Sequence, residues 1–573
     1  MRRGDRAADD RGRGRSGAVS RRSRWLAGVL ALAIGLGVLG WANRLLILRH
    51  SLGWFTDLLH PRAPNRPVPW QAGPGTAEAP ASARPPNIIV ILADDLGYND
   101  VTTYGGGHAD WGAATPNIDT LAREGVRFDH GYAVSAVCTV SRAGLMTGRY
   151  PWRFGVEFTP TPGAMARVAA DLYAAPGRPH PVVIDREAAA AAPRFNDLGM
   201  PASERTLAEV LADRGYHTMH IGKWHLGSTP DMRPNRQGFA ETVFMESGLY
   251  LPEHSPSVVN SKQDFDPIDR FLWPNMRWAA SYNAGDWFEP AGYLTDWFTD
   301  EAVTAIRANR NRPFFLYLAH WGVHTPLQAS RADYDALPDR GDHRRRVYGA
   351  MIRSIDRSVG RVLQTLREEG LDENTLVIFT SDNGAPGYIG LPDLNRPFRG
   401  WKLTLFEGGV RVPFMARWPA RIAAGTRLQS PVSGIDVLPT AAAAAGAALP
   451  ADRPIDGVNL LPWLAAAAPP APSRSLFWRS GSLRSVRDGD WKLIVSERPR
   501  RTWLFDLASD PTERNDLSQA RPEQVERLGN RIRTHHADMP PPAWRSFIEF
   551  PVAIDRTLDQ PSGPDDDFTY WIN

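Results

Sequence analysis

One cysteine, Cys138, is the only thiol in 573 residues. A lone thiol closes no intramolecular disulfide, so cysteine usage carries no information about the redox compartment. Lysine is nearly as scarce: only Lys223, Lys262, Lys402 and Lys492 interrupt a chain that otherwise uses arginine. A basic body is missing too. The net charge is +3, but residues 1–24 hold nine Arg and three Asp, a net of +6, so the remainder carries −3 and is no nucleic-acid-binding surface. No internal repeat is evident. With 43% hydrophobic and 23% charged residues the chain is globular, and its length exceeds one compact core, which favours a large domain with a smaller companion.

What is present begins with WLAGVLALAIGLGVLGWA, residues 25–42, a charge-free apolar run directly after RRSR. As a helix it spans about 27 Å, near the thickness of a bilayer core. Its length favours an uncleaved transmembrane anchor, with a cleaved signal or a buried core helix as alternatives. The arginine-rich flank stays cytoplasmic, which places the body outside, in the periplasm or the extracellular space. Residues 61–86, rich in Pro, Ala and Gly, read as an extended spacer.

In NIIVILADDLGYNDV, residues 87–101, the run Ile88 to Leu92 is continuously apolar and β-branched, as in a strand buried on both faces of a parallel sheet. It ends in Asp94 and Asp95. Adjacent carboxylates at a strand's C-terminal end repel unless a cation lies between them, although Asp-Asp before Gly also suits a turn or a cap. The pattern returns in NTLVIFTSDNGAPG, residues 374–387, where a strand ends in Asp382 and Asn383. An all-oxygen donor set of this kind favours calcium or magnesium over zinc.

Between these units, GYHTMHIGKWHLG (215–227) and FFLYLAHWGVHTPLQA (314–329) run from apolar segments into polar turns bearing Lys223, His225 and His324. FRGWKLTLFEGGVRVPFMARWP (398–419) adds Lys402 and Arg411. Lysine is a compact point charge suited to an anion. Each of these residues alone is equally compatible with a solvated surface group. Cys138, in VCTVSRAGLMTGRY at the start of a helix-like run, is alone either a small buried hydrophobe or a nucleophile.

Taken in order, ADDLGYND, CTVSRAGLMTGRYP, GKWHLG, VHTPLQ, SDNGA and RGWKLTLFEGGVRVP resemble the type I, formylglycine-dependent sulfatases of the alkaline-phosphatase superfamily, closest in appearance to the arylsulfatase A and B groups. The resemblance covers about residues 87–520, including the tail-like VRDGDWKLIV and WLFDLASDPTERNDL. It implies that Cys138 is oxidised to formylglycine by a converting enzyme. It also implies that Asp94, Asp95, Asp382, Asn383 and the modified Cys138 hold a divalent cation, calcium or magnesium. Arg142 and Lys223 would then neutralise the nucleophile's charge, and His225 would take a proton when sulfate is expelled. Lys402 and His324 would bind sulfate oxygens and assist the leaving alcohol. The implied activity is hydrolysis of a sulfate ester on a small molecule or a glycan. Val140 departs from the family, which has Pro or Ala there, in the stretch read by the converting enzyme. A phosphonate or phosphate-ester hydrolase on the same site, or a silent anion-binding module tethered to the membrane, are the alternative readings.

The expected architecture is α/β: a large mixed sheet sandwiched by helices, alkaline-phosphatase-like, with a smaller C-terminal antiparallel sheet and helix. The expected organisation is a basic arm (1–24), an anchor (25–42), a membrane-proximal segment and linker (43–86), a catalytic domain (87–440) and a linker with C-terminal subdomain (441–573). TPNIDTLAREGV and SERTLAEVLADRG read as helices, and residues 473–497 as strands turning at Asp488-Gly489-Asp490. Residues 521–539 read as a terminal helix over those strands, and Asp565–Asp567 as a solvated tail. Trp273, Trp278, Trp287 and Trp297 mark an insert at 249–298 expected to border the substrate cleft, where aromatic faces can stack on sugars, although buried packing is the commoner use of such side chains.

Overall fold

The computed structural model describes residues 21–163, 165–166, 170, 180–245, 248–464 and 473–572. Residues 1–20 of the basic arm and 465–472 of the Ala/Pro-rich stretch lie outside the described residues.

Ten strands make the main sheet: Asn87–Ala93 (β1), Val126–Phe128 (β2), His217–Lys223 (β3), Glu241–Met245 (β4), Ala280–Tyr282 (β5), Trp287–Phe288 (β6), Phe314–Ala319 (β7), Thr375–Ser381 (β8), Phe414–Arg417 (β9) and Thr426–Leu428 (β10). Their spatial order is β10-β2-β9-β8-β1-β7-β3-β4-β5-β6. The central run from β8 to β4 is parallel, and antiparallel pairs flank it. β1 shows why the continuously apolar segment sits at the centre. Ile89, Ile91 and Ala93 enter one core, and Ile88, Val90 and Leu92 the other. Each fully buried aliphatic side chain contributes about 1.5–3 kcal/mol of transfer free energy. Leu294–Ala308 and His343–Glu368 cover the first face, and Cys138–Thr147, Leu207–Asp213 and Val437–Ala445 the second. Leu207–Asp213 opens with a capping box between Thr206 and Glu209, at the position read as a helix start.

The smaller unit is an antiparallel sheet of Ser475–Ser480 (β11), Leu483–Asp488 (β12), Trp491–Glu497 (β13) and Arg500–Asp506 (β14). Gly489, at φ +61°, turns β12 into β13. Leu528 and Ile532 of the Pro522–His536 helix pack on one face of this sheet, and Trp478, Ile494 and Trp503 on the other face meet Leu405 and Phe406 of the larger unit.

Five expectations are corrected. The 61–86 spacer does not stand free: Ala63 bridges Phe288 at the edge of the main sheet, Trp70 donates to Glu301 (2.7 Å) and Gln71 N–H to Glu241 (2.7 Å). The Ala-rich stretch from 441 begins inside a core helix, Val437–Ala445, on which Ala441, Ala442 and Ala445 are buried. The acidic end is no solvated tail. Asp567 pairs with Arg399 (2.8 Å), and Phe568–Ile572 is a strand paired with Ile548–Ala553. Consequently the helix over the small sheet is not the terminal element. Finally, Trp273 and Trp297 are buried and Trp278 packs against the core, so they do not offer stacking faces to a ligand.

Arg24–Ala42 is a helix long and apolar enough to cross a membrane, and none of it is buried in the protein. Arg44–Leu59 follows it directly and packs on Pro267–Asn275, where the Gly53 N–H donates to Asn275 (2.7 Å).

Candidate functional site

Because β8, β1, β7 and β3 are parallel neighbours, the residues that follow them emerge at one edge of the sheet, where α/β folds gather ligand-binding groups. Asp94 and Asp95 follow β1, Asp382 and Asn383 follow β8, His324 lies in the turn after β7, and Lys223 ends β3. Cys138 is the first residue of the Cys138–Thr147 helix, which points its N-terminus at this edge, and Lys402 enters from the loop after β8. Asp94, Asp95, Cys138, Lys223, His324, Asp382, Asn383 and Lys402 are therefore brought to one edge of the sheet.

Cys138 Sγ lies 3.5 Å from Asp94 Oδ1, 4.0 Å from Asp95 Oδ1 and 3.3 Å from Lys402 Nζ. Lys402 Nζ also lies 2.6 Å from Asp95 Oδ1, and Lys223 Nζ 2.5 Å from Asp94 Oδ2. Arg142, four residues along the helix from Cys138, donates to Asp382 Oδ2 (2.9 Å), Asp94 Oδ2 (3.2 Å) and the Lys223 carbonyl (2.9 Å). Asn383 Nδ2 donates to Asp95 Oδ1 (2.7 Å), while His324 Nε2 stands 3.7 Å from Asp95 Oδ2. Asp95, His225 and Leu403 have φ of 64°, 61° and 81°. Such left-handed backbone costs about 1–3 kcal/mol per non-glycine residue and persists only where the surroundings over-determine it.

Electrostatics follow from three carboxylates and three fixed cations in a buried site. Burial alone would raise the Asp94 and Asp95 carboxyls, yet both are held below the usual range. Lys223, His324 and Arg142 do this for Asp94, and Lys402 and His324 for Asp95. Burial pushes the Cys138 thiol up, and the Asp382 charge adds to it. Burial also lowers His225 well below its ordinary value, with Lys223 and Arg142 reinforcing it, and brings His324 to about 4 against the pull of Asp95.

The donor chemistry fits a hard cation. Asp94, Asp95, Cys138 and His324 offer ligand atoms within 4.8 Å of one another. Asn383 Oδ1 is buried without a partner, an acceptor left unmet beside Asp95. Carboxylate and amide oxygens are the ligands calcium and magnesium take.

Two contacts were not anticipated. Tyr388 donates its hydroxyl to Asp95 Oδ2 (3.1 Å). The Trp321 ring lies 4.7 Å from Lys223 Nζ and 4.3 Å from the His324 ring. Trp321 sits within a segment already singled out and Tyr388 directly follows another, but a tyrosine after SDNGA and a tryptophan beside His324 carry no signal without the geometry. Arg411 stays outside this cluster: it pairs with Glu407 (3.2 Å) and donates to the Asp129 carbonyl (2.8 Å).

Comparison with known proteins gives a consistent picture. The sulfatase family profile matches residues 86–447, and that of the N-sulphoglucosamine sulphohydrolase C-terminal region matches residues 400–537. N-acetylgalactosamine-6-sulfatase of Canis lupus familiaris is 35% identical over 389 residues, which span 67% of this chain and 66% of that protein. N-acetylgalactosamine-6-O-sulfatase of Bacteroides thetaiotaomicron is 28% identical over 518 residues, 78% of this chain and 92% of that protein. The crystal structure of Ps i-CgsB in complex with k-i-k-neocarrahexaose superposes with a TM-score of 0.67 at 30% identity, covering 80% of this chain and 95% of that one.

Proposed function

This chain belongs to the sulfatase family, and we propose that it hydrolyses a sulfate ester, releasing an alcohol and sulfate, with formylglycine derived from Cys138 as its nucleophile. One observation carries the reading: the Cys138 side chain opens a buried helix N-terminus between Lys402 (3.3 Å) and Asp94 (3.5 Å), inside a ring of fixed charges. A hydrated aldehyde at position 138 supplies two hydroxyls on one carbon, one to accept the sulfuryl group and one to expel it. Asp94, Asp95, Asp382 and Asn383, with position 138, would hold calcium or magnesium, which supplies a Lewis acid that polarises oxygen.

The chain's own residues do the rest. Arg142 and Lys223 face position 138 and neutralise negative charge that builds on its oxygen. Lys402 and His324 hold the sulfate oxygens and stabilise or protonate the departing alcohol. His225, kept neutral by burial and its cationic neighbours, accepts the proton from the second hydroxyl. Cations fixed in a dry pocket stabilise this charge redistribution more than mobile water does. A sulfated carbohydrate is the substrate class that the names of the relatives support.

The Arg24–Ala42 helix serves as a membrane anchor with the body on the outer side. The decisive experiment compares turnover of a sulfate ester and a matched phosphonate ester on one preparation, together with the mass of the Cys138 peptide. Sulfate turnover that scales with aldehyde content supports the reading, and preferred phosphonate turnover overturns it. Protease added to cells stripped of any outer membrane should reach the body, and cytoplasmic exposure of residues beyond 100 would overturn the topology.

A further inference from the structure

The loop that delivers Lys402 is a closed unit. Gly408 N–H donates to the Arg399 carbonyl (2.7 Å), Thr404 N–H to the Trp401 carbonyl (3.0 Å) and Gly409 N–H to the Phe406 carbonyl (2.9 Å). A Cβ at Gly408 would overlap the Gly400 carbonyl oxygen, so only glycine lets the two strands of the loop approach this closely. Lys402 lies on one side of it, followed by Leu403 at φ 81°. Glu407 lies on the other.

Glu407 is fully buried and accepts from the Tyr132 hydroxyl (2.7 Å), Arg411 Nη1 (3.2 Å) and Lys492 Nζ (2.9 Å). Lys492 Nζ also lies 3.0 Å from Glu513, whose other carboxylate oxygen accepts the backbone N–H of Glu407 (2.6 Å). Lys492 belongs to β13 and Glu513 to the segment after β14, the two tail-like stretches that the proposed chemistry does not use. Both are fully buried. Burial would raise the Glu407 carboxyl, but Lys492 and Arg411 hold it low, so it stays an ionised anchor for the ammonium. A second tie runs from Arg399 to Asp555 (2.6 Å).

We propose that Lys492, bridging Glu407 and Glu513, is a positioning residue through which the C-terminal subdomain fixes Lys402 against Cys138. The proposal rests on the catalytic role assigned to Lys402. A compact loop held at one end by a buried ion pair transmits a shift of that pair to its other end, and a displacement of about 1 Å at a reacting group costs on the order of 100-fold in rate.

The test is a double-mutant cycle in enzyme of measured aldehyde content. Lys492→Met in the otherwise native protein should lower kcat about 10- to 100-fold on an alkyl or sugar sulfate with little change in KM. In the Lys402→Ala background it should add no further loss, since the group it positions is gone. Equal fold-losses in both backgrounds would overturn the proposal and leave Lys492 merely structural. Should Lys492→Met fail to fold, the cycle is run with Glu513→Gln, which keeps the Lys492–Glu407 contact, and the same background dependence is required. Unchanged kcat in Lys402→Ala alone would sink the catalytic reading of Lys402 instead, which separates the two failures.

Discussion

Lys402 Nζ reaches within 3.3 Å of Cys138 Sγ although 264 positions separate the two residues, and the same ammonium lies 2.6 Å from Asp95 Oδ1. It thereby touches both Cys138, the proposed nucleophile precursor, and a carboxylate of the cluster suited to a cation. A point charge there stabilises oxygen charge on the sulfate and on the leaving alcohol. Lys402→Ala should therefore lower kcat/KM about 100- to 1,000-fold for an alkyl or sugar sulfate and markedly less for a nitrophenyl sulfate, whose phenolate needs no help. A series of aryl sulfates of graded leaving-group acidity measures this; equal losses across the series would remove Lys402 from leaving-group assistance.

The carboxylate cluster predicts metal-linked stability. Asp382→Asn keeps acceptors for Arg142 but removes one charge from the donor set. Excess calcium at about 100 times its dissociation constant should stabilise the native protein by about 2.7 kcal/mol, read as a rise in Tm reversed by chelator. The variant should show a much smaller calcium-dependent rise and little activity. A full calcium response and metal content in folded Asp382→Asn would exclude Asp382 as a ligand.

These predictions draw on residues that the sequence already ordered, and the reason is physical. A strand buried on both faces often reads as an apolar run, and the parallel sheet brings the ends of such strands to one edge, so Asp94, His324 and Asp382 stand out as polar residues after apolar runs, and Lys223 as a scarce lysine at the end of a mixed strand. Tyr388 and Trp321 were not, because a single aromatic carries no period and its target is set by tertiary packing. The 61–86 segment was misjudged for a related reason. Its composition resembles a free linker, whereas Trp70 and Gln71 are held by Glu301 and Glu241, partners more than 150 residues away. Trp273 shows the converse: of the two uses open to it, stacking on a sugar and buried packing, the structure shows packing, with its indole N–H donating to Asp269 (2.9 Å).

That neighbourhood gives a pH prediction. Asp266 caps the Pro267–Asn275 helix through Oδ1, which accepts the Ile268 N–H (2.9 Å), while Oδ2 is buried without a partner. Burial, aided by the Asp269 charge, raises its carboxyl to about 8. Because the folded value lies above the unfolded value of about 3.9, the unfolded state releases its proton first as pH rises. The associated stability is fully present below about pH 4 and is lost progressively up to about pH 8. Asp266→Asn retains the cap and removes the charge. Its Tm should match the native protein at pH 4 and exceed it at pH 8; a constant Tm difference between these pH values would refute the assignment.

Val140 stands where the resemblance implies Pro or Ala, and its position in the helix shows how to test it. It is the third residue of Cys138–Thr147, fully buried in the core with Ala143 and Leu145. The first hydrogen bond of the helix runs from Ser141 N–H to the Val137 carbonyl (3.1 Å), so the N–H of Val140 precedes the helical ladder. Proline at this position gives up no helical hydrogen bond and loses only part of a core side chain, a cost of about 1 kcal/mol. Conversion acts on the unfolded segment, where that packing plays no part. Val140→Pro should thus raise the aldehyde fraction at position 138 while slightly lowering Tm, and turnover divided by aldehyde content should stay near the native value. Cys138→Ser, made with a cysteine-specific converting enzyme, should lose turnover, because a serine alcohol cannot supply the second hydroxyl. Mass spectrometry of the Cys138 peptide alongside kcat decides the matter: fully active protein carrying only the unmodified thiol, or native turnover in Cys138→Ser, would overturn the formylglycine reading and favour direct attack by another nucleophile.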